Sequence, residues 1–305
     1  MSYEIKKVGT LSSDGIHELS GVMYVPSGEI KGLFHIIHGM TEHIARYDHI
    51  MSAAAEAGFL CFGYDNLGHG NTAKDDSELG FIASEKGWEK LVDDTFIFQR
   101  QVMALYPDKR LIVMGHSMGS FIARLAALKY GKFYDRLIIC GTGGPNIAAP
   151  FGIGLTALIK KLKGEKYISK LAHNVAFGAY NKRFDKSSKY NWLSKIPEEI
   201  EKYEADKFCT FPFTVSAMHD LIMLTSLANS KTWFYEIRRD LPMLIISGED
   251  DPVGDYGKGV RAVYDKLKAN RVKNVILKLY ENCRHEIHND TCKDEVIENI
   301  LSFIE

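Results

Sequence analysis

Three polar side chains, spread over most of the chain, have types and settings suited to nucleophilic chemistry. The first is Ser117, in Gly115-His116-Ser117-Met118-Gly119. A hydrophobic run, Leu111 to Met114, leads directly into this G-x-S-x-G pentapeptide and a helical pattern leaves it. A sharp strand-to-helix turn would strain Ser117 and lift its hydroxyl above a sheet. Glycine is needed on both sides because side chains at 115 and 119 would meet neighbouring backbone. The alternative is an ordinary serine cap at a helix N-terminus.

A serine hydroxyl needs a base to take its proton and a carboxylate to orient that base. Of the later histidines, His285 follows the apolar run Val275 to Tyr280, whereas His288 suits a surface or helix-capping place. Asp250, Asp251 and Asp255 compete for the orienting role in the loop after Leu241 to Ser247. Loops at the carboxyl ends of parallel strands are where sites form in open α/β sheets. A tetrahedral oxyanion further requires two prearranged donors. The main-chain N–H of Met118 is one. The other is assigned to the N–H of Met40, in the loop after Leu33 to Ile37, where Gly39 lets backbone approach a substrate closely. His38 reads as a structural hydrogen-bonding residue. His285-Glu286-Ile287-His288 lacks the i, i+4 spacing of the H-E-x-x-H zinc helix, so no metal is expected.

These residues need a scaffold, and the chain supplies a periodic one. Short apolar runs (Leu33 to Ile37, Phe59 to Tyr64, Leu111 to Met114, Leu137 to Cys140) alternate with helical patterns over Ile44 to Ala57, Trp88 to Leu105 and Met118 to Tyr130. Such alternation is expected of a parallel sheet buried on both faces. Tyr3 to Val8 and Glu18 to Tyr24 flank a turn and read as an antiparallel edge hairpin. The alternation stops near Gly141 to Pro145, gives way to helical, Lys- and aromatic-rich sequence, and resumes at Leu241. The expectation is therefore an α/β core over 1–145 and 233–305 with a helical insert over 146–232. Gly141-Thr-Gly-Gly144 lacks the G-K-[ST] ending of a phosphate loop.

Composition narrows the function classes. The 305 residues are 46% hydrophobic and 25% charged, with a formal net charge of -1. A core of adequate size is available without disulfides or metal, and no basic field for nucleic acid exists. Five scattered cysteines without metal spacing suggest a reducing, cytoplasmic setting. Cys283, two residues before His285, could confer sensitivity to thiol reagents or simply pack as an inert thiol. The first residues are not followed by a secretory h-region, and no apolar run is long enough to span a membrane.

The blocks together resemble a known family. His38-Gly-Met-Thr-Glu-His-Ile-Ala-Arg-Tyr47 is similar to the HG-x-x-EH-x-x-RY segment of monoacylglycerol lipases and bacterial lysophospholipases, within the serine aminopeptidase S33 type of the α/β-hydrolase superfamily. Asp65 to Gly70, Gly115 to Gly119, Gly248 to Val253 and Arg284 to Asn289 resemble the remaining blocks. The resemblance implies an α/β-hydrolase fold: a mostly parallel sheet of about eight strands, helices on both faces and a helical lid. It implies Ser117, Asp251 and His285 as catalytic residues, Asp251 being preferred for the Pro-Val after it. It implies Met40 and Met118 as the oxyanion donors and no cofactor. Glu42, His43, Arg46 and Tyr47 are expected either to brace the oxyanion loop or to form an exposed helix pair, with Gly39, Gly115, His116 and Gly119 as further support. Asp65, Gly68, His69 and Gly70 are expected to form a structural loop. The insert looks closer to bacterial lysophospholipase-like proteins than to the mammalian lipases.

The reaction so implied is hydrolysis of single-chain acyl esters, such as monoacylglycerols or lysophospholipids, through an acyl-enzyme. Aminopeptidase, amidase or acyltransferase chemistry could use the same residues, although related proline iminopeptidases carry an HGGPG-type loop where this chain has His38-Gly-Met-Thr-Glu42. A degenerate, non-catalytic relative would have lost one of the three polar residues, and none is missing. Apolar Phe151 to Ile159 followed by Lys160, Lys161, Lys163 and Lys166 suits transient contact with a membrane or micelle surface. It also suits an insert that packs its apolar side on the core and leaves its lysines solvated.

Overall fold

The computed structural model describes residues 2–305; Met1, part of the first core span, lies outside them. Eight strands form one sheet in the order β1-β2-β4-β3-β5-β6-β7-β8. β1 (Tyr3–Leu11) and β2 (Glu18–Pro26) make the expected edge hairpin, and β2 pairs antiparallel with β4 (Phe59–Tyr64). From β4 onward, β3 (Gly32–Ile37), β5 (Leu111–His116), β6 (Tyr134–Cys140), β7 (Met243–Gly248) and β8 (Val275–Tyr280) pair in parallel.

β3, β4, β5 and β7 are buried along their whole length, which explains their largely apolar sequence: each face meets a helix layer. Alternation then divides the side chains. Leu33 and Ile37 join one core cluster with Val113, Ile139 and Ile245, while Phe34 and Ile36 join the other with Met114, Ile138 and Ile246. α2 (Gly87–Leu105), α3 (Met118–Tyr130) and α9 (Lys258–Ala269) cover the first face; α1 (Asp48–Glu56) and α10 (Lys293–Ile304) cover the second.

Between β6 and β7 lie α4 (Ala149–Lys163), α5 (Lys170–Phe177), α6 (Pro197–Ala205), α7 (Val215–Ala228) and α8 (Lys231–Glu236). These helices are not alike. α7 contributes Ala217, Met218 and Leu224 to the main core, whereas α4 buries only Ala149 and Thr156. The stretch before α6 pairs by main chain with the loop after β8: the N–H of His285 donates to Trp192 O at 3.4 Å and that of Glu286 to Leu193 O at 2.8 Å.

One expectation needs correction. Cys283 is not a free thiol; it is joined to Cys292 in a disulfide. The turn at Ile287–Asn289 brings their Cα atoms to 6.5 Å across nine residues, a fold-back that spacing alone does not announce. Cys61, Cys140 and Cys209 are the free, buried cysteines.

Candidate active site

The turn between β5 and α3 places Ser117 at φ 52° and ψ -120°, a strained conformation for a non-glycine residue. Backbone contacts hold it there. Ser117 N–H donates to Cys140 O at 3.0 Å, and Ser120 donates to Ser117 O through both its N–H, at 2.9 Å, and its hydroxyl, at 2.6 Å. The two glycines act as the pattern predicts. A Cβ at 115 would stand 2.1 Å from Gly119 O, and one at 119 would stand 2.1 Å from Ile37 O.

Asp251 and His285 come from the loops after β7 and β8 and meet in the interior. His285 Nδ1 donates to Asp251 Oδ2 at 2.9 Å, and both residues are essentially buried. Asp251 is further held by the Val253 N–H at 2.8 Å and the Ser247 hydroxyl at 3.2 Å. Asp250 and Asp255 do not reach the histidine; Asp250 lies 3.9 Å from Lys195, and Asp255 is exposed. His288 is fully buried rather than on the surface, and neither of its ring nitrogens has a partner. Burial, with His116 and His49 nearby, holds it neutral, well below the usual imidazole range.

Ser117 and His285 line one cavity of about 470 Å³, which Met40 and Met118 also border. Met118 is the first residue of α3, so its N–H belongs to the unpaired first turn. Gly39 passes directly beside the serine: a Cβ there would be 3.0 Å from Ser117 Cβ.

Beneath the loop from Gly39 to Thr41 lies a buried polar network. Glu42 Oε1 accepts from the Gly39 N–H and, at 2.8 Å, from the Tyr47 hydroxyl, and it lies 3.2 Å from His116 Nδ1. Arg46 grips Glu286 with two bonds of 2.7 Å and stands 3.6 Å from Glu42. Burial alone would raise the Glu42 carboxyl, but His116 and Arg46 hold it well below the usual carboxylate range. Glu42 and Arg46 are therefore bracing residues inside the protein, not an exposed helix pair. His43 points the other way and bonds Asp206 at 2.8 Å.

His38 satisfies both ring nitrogens on main chain, at Gly39 O and Asn66 N–H, each 2.8 Å away. Burial lowers its pKa to about 3, so it is a neutral structural group. Asp65 accepts from Ile44 N–H at 2.9 Å and Asn71 N–H at 2.8 Å, and His69 bonds Leu67 O at 2.9 Å. The loop from Asp65 to Gly70 is architectural. Missed from sequence were Ser247, Tyr203 and the main chain of Trp192 and Leu193. Tyr203, Trp192 and Leu193 lie far along the chain from the groups they support, Ser247 is only four residues from Asp251, and none stands in a distinctive motif.

The eight-stranded sheet, the strained serine after β5 and the acid–histidine pair after β7 and β8 define an α/β hydrolase. The chain belongs to the serine aminopeptidase S33 family, whose model matches residues 28–292. It is 26% identical to the monoglyceride lipase of Mus musculus over 90% of this chain and 82% of that protein. It is 23% identical to the monoacylglycerol lipase of Mycolicibacterium smegmatis over 92% and 91% respectively. A thermostable carboxyl esterase from Bacillus coagulans, solved with glycerol, superposes with a TM-score of 0.93 at 29% identity, covering 98% of this chain and 97% of that one. Among the described residues, no helix is long and apolar enough to cross a membrane.

Proposed function

We propose that the chain is a serine carboxylic-ester hydrolase acting on single-chain acyl esters, such as monoacylglycerols or lysophospholipids. The observation that carries this reading is the buried Asp251–His285 hydrogen bond, 2.9 Å long, opening onto a cavity with Ser117 in its wall. Ser117 is the nucleophile. His285, held in one tautomer by Asp251, takes the serine proton as the hydroxyl attacks the ester carbonyl. The N–H groups of Met40 and Met118 receive the oxyanion. His285 then returns the proton to the departing alcohol. Water, deprotonated by the same imidazole, releases the acid.

The cavity supports the substrate class. Phe121, Phe177, Trp192, Phe211 and Leu221 give it apolar walls, and its volume suits a single chain. An aminopeptidase needs a free carboxylate for the substrate ammonium. The two carboxylates in the lining, Glu42 and Glu286, are already committed to Gly39, Tyr47 and Arg46. The names of the relatives point to glycerides, and the esterase solved with glycerol is consistent with a small alcohol in the leaving-group position. Residues 146–232 then act as a lid. The exposed apolar residues Phe151, Leu158 and Leu162 on α4, beside Lys161 and Lys163, would touch a membrane or micelle surface transiently.

A fluorophosphonate probe should label the wild type and Ser120→Ala but not Ser117→Ala. p-Nitrophenyl esters of graded length should be cleaved while aminoacyl anilides are not. Normal turnover by Ser117→Ala, or preferential cleavage of the anilides, would end this reading.

A further inference from the structure

The residue just before the nucleophile has no chemical step in the reaction proposed above, yet it is among the most connected groups in the interior. The His116 ring is buried. Its Nδ1 lies 2.9 Å from the Tyr47 hydroxyl and 3.2 Å from Glu42 Oε1, and its Nε2 lies 3.3 Å from the main-chain oxygen of His285. The chemistry of these neighbours fixes where the protons are. Tyr47 gives its single hydroxyl hydrogen to Glu42 at 2.8 Å, so towards His116 its oxygen can only accept. The Glu42 oxygen also takes the Gly39 N–H, as a carboxylate would. The third neighbour is a carbonyl, which never donates. With the Tyr47 hydrogen on Glu42, both ring nitrogens face acceptors, which suits a ring with two N–H groups; a neutral Nε2–H ring would instead draw that hydrogen onto Nδ1 and away from Glu42.

We infer that His116 is a positioning residue: donating from both ring nitrogens, it ties the oxyanion loop, through Glu42, to the loop of the base, through the His285 carbonyl, with the nucleophile between them. The role rests on the ester-hydrolase reading. Its geometric consequence is that the Gly39–Met40 loop and His285 are registered against one rigid ring attached to Ser117. Misplacement of either would reduce turnover more than binding.

The surroundings favour the charged ring. Burial alone would lower the His116 pKa, but the hydrogen bond and charge of Glu42, with Glu286 behind it, raise it above the ordinary imidazole value. The other titratable groups facing it are Tyr47, Cys140, His285 and His288. Burial pushes the Tyr47 phenol and the Cys140 thiol up and holds His288 neutral. With the folded pKa of His116 raised, its charge is kept to higher pH than that of an ordinary imidazole and is lost as pH rises through the raised value. With Glu42 lowered, the carboxylate persists well into acid. The coupling therefore fails on the alkaline side, and turnover should fall there.

The test combines kinetics and histidine ring 15N NMR on the whole chain. In wild type at neutral pH, both His116 nitrogens should carry protons, and the rate on p-nitrophenyl butyrate should show an alkaline limb. His116→Gln should lower kcat about tenfold with KM within about twofold, and should lack that limb. A folded His116→Gln with wild-type kcat and an unchanged limb would overturn the role. So would a singly protonated His116 ring in wild type, which needs no variant to observe. Absence of fluorophosphonate labelling at Ser117 in wild type would instead remove the hydrolase reading, and the positioning role with it. A labelled enzyme with a neutral His116 removes only the latter.

Discussion

The hydroxyl of Tyr203, in α6, donates to the carbonyl oxygen of Thr41 at 3.0 Å and lies 2.8 Å from the hydroxyl of the same residue. Thr41 follows Met40 and has φ 51°, a left-handed conformation that a β-branched residue resists. α6 thus holds the strained end of the Gly39–Thr41 loop in place. Arg46 adds to the clamp, stacked 4.9 Å above the Tyr203 ring. Tyr203→Phe removes the donor and leaves the Thr41 carbonyl without it. Expected is a five- to tenfold loss in kcat and a stability loss of about 1–2 kcal/mol, read by ester kinetics and urea unfolding. Thr41→Gly in the same background should recover part of the stability, because glycine accepts this φ freely. An unchanged kcat in Tyr203→Phe would show that the loop keeps its shape without the clamp.

Glycines 119 and 131 should respond in opposite senses to the same change. A Cβ at 119 would be 2.1 Å from Ile37 O and 2.6 Å from His38 O, main-chain atoms at the end of β3 that no rotamer can move. Gly119→Ala is expected to cost about 3 kcal/mol or more and to remove activity as β3 and α3 separate. At Gly131, φ is -61° and nothing lies within 4 Å of an added Cβ. Gly131→Ala should stabilise by about 0.4–1 kcal/mol by restricting the unfolded chain. Calorimetry on both variants decides the matter. Equal melting temperatures would mean that the elbow is looser than its contacts imply.

What could be read in the sequence follows from the range of the interactions involved. The runs Val275 to Tyr280 and Met118 to Tyr130 coincide with β8 and α3 because hydrophobic period and punctuation are local properties, and the parallel pairing of the sheet follows from strand–helix alternation. Gly115 was equally legible, since its collision with Gly119 O is a local matter, whereas the backbone that excludes a side chain at 119 belongs to the distant end of β3. Asp251 could not be separated from Asp250 and Asp255 by residue type. What separates them is that one carboxylate turns inward to His285 and the others turn to solvent or to Lys195, a difference of side-chain direction within a single loop. The Cys283–Cys292 bond and the Tyr203–Thr41 contact depend on chain reversals, one short and one long, that no motif encodes. α7 lies in the segment read as an insert and packs into the core. Its low amphipathic contrast hid which side faces inward.

Phe151, Leu158 and Leu162 are 66%, 55% and 69% exposed on α4, spaced by seven and four residues and therefore on one face. Lys161 and Lys163 lie at its end. An apolar stripe with adjacent cations is the pattern of a helix that dips into a lipid interface. The paired change Leu158→Asp and Leu162→Asp should reduce hydrolysis of a micellar ester about tenfold and abolish co-sedimentation with anionic vesicles. Cleavage of a short water-soluble ester should be unaffected. Equal loss on both substrates would locate the effect in the cavity instead of at the surface.

Asp220, on α7, supplies a pH dependence remote from the serine. Its carboxylate sits against the first turn of α2, where a Cβ on Gly87 would come 2.3 Å from Asp220 Oδ2. Burial raises its pKa to about 7, against the opposing effect of the Trp88 and Gly87 N–H groups and of Lys160. Because the folded value is raised above the unfolded one, the protonated acid favours folding. That contribution is complete below about pH 4, the unfolded value, and is lost as pH rises towards 7. Above neutrality the protein therefore carries a buried, ionised carboxylate joining α7 to α2. Asp220→Asn keeps an oxygen for the two N–H groups and cannot ionise. It should raise stability at pH 8 by about 1–3 kcal/mol and by clearly less near pH 5, flattening the alkaline decline. Calorimetry at the two pH values, on wild type and variant, measures the difference directly. If Asp220→Asn instead destabilised the protein more at pH 8 than at pH 5, the ionised carboxylate would be a favourable helix cap, and the sign of this linkage would be reversed.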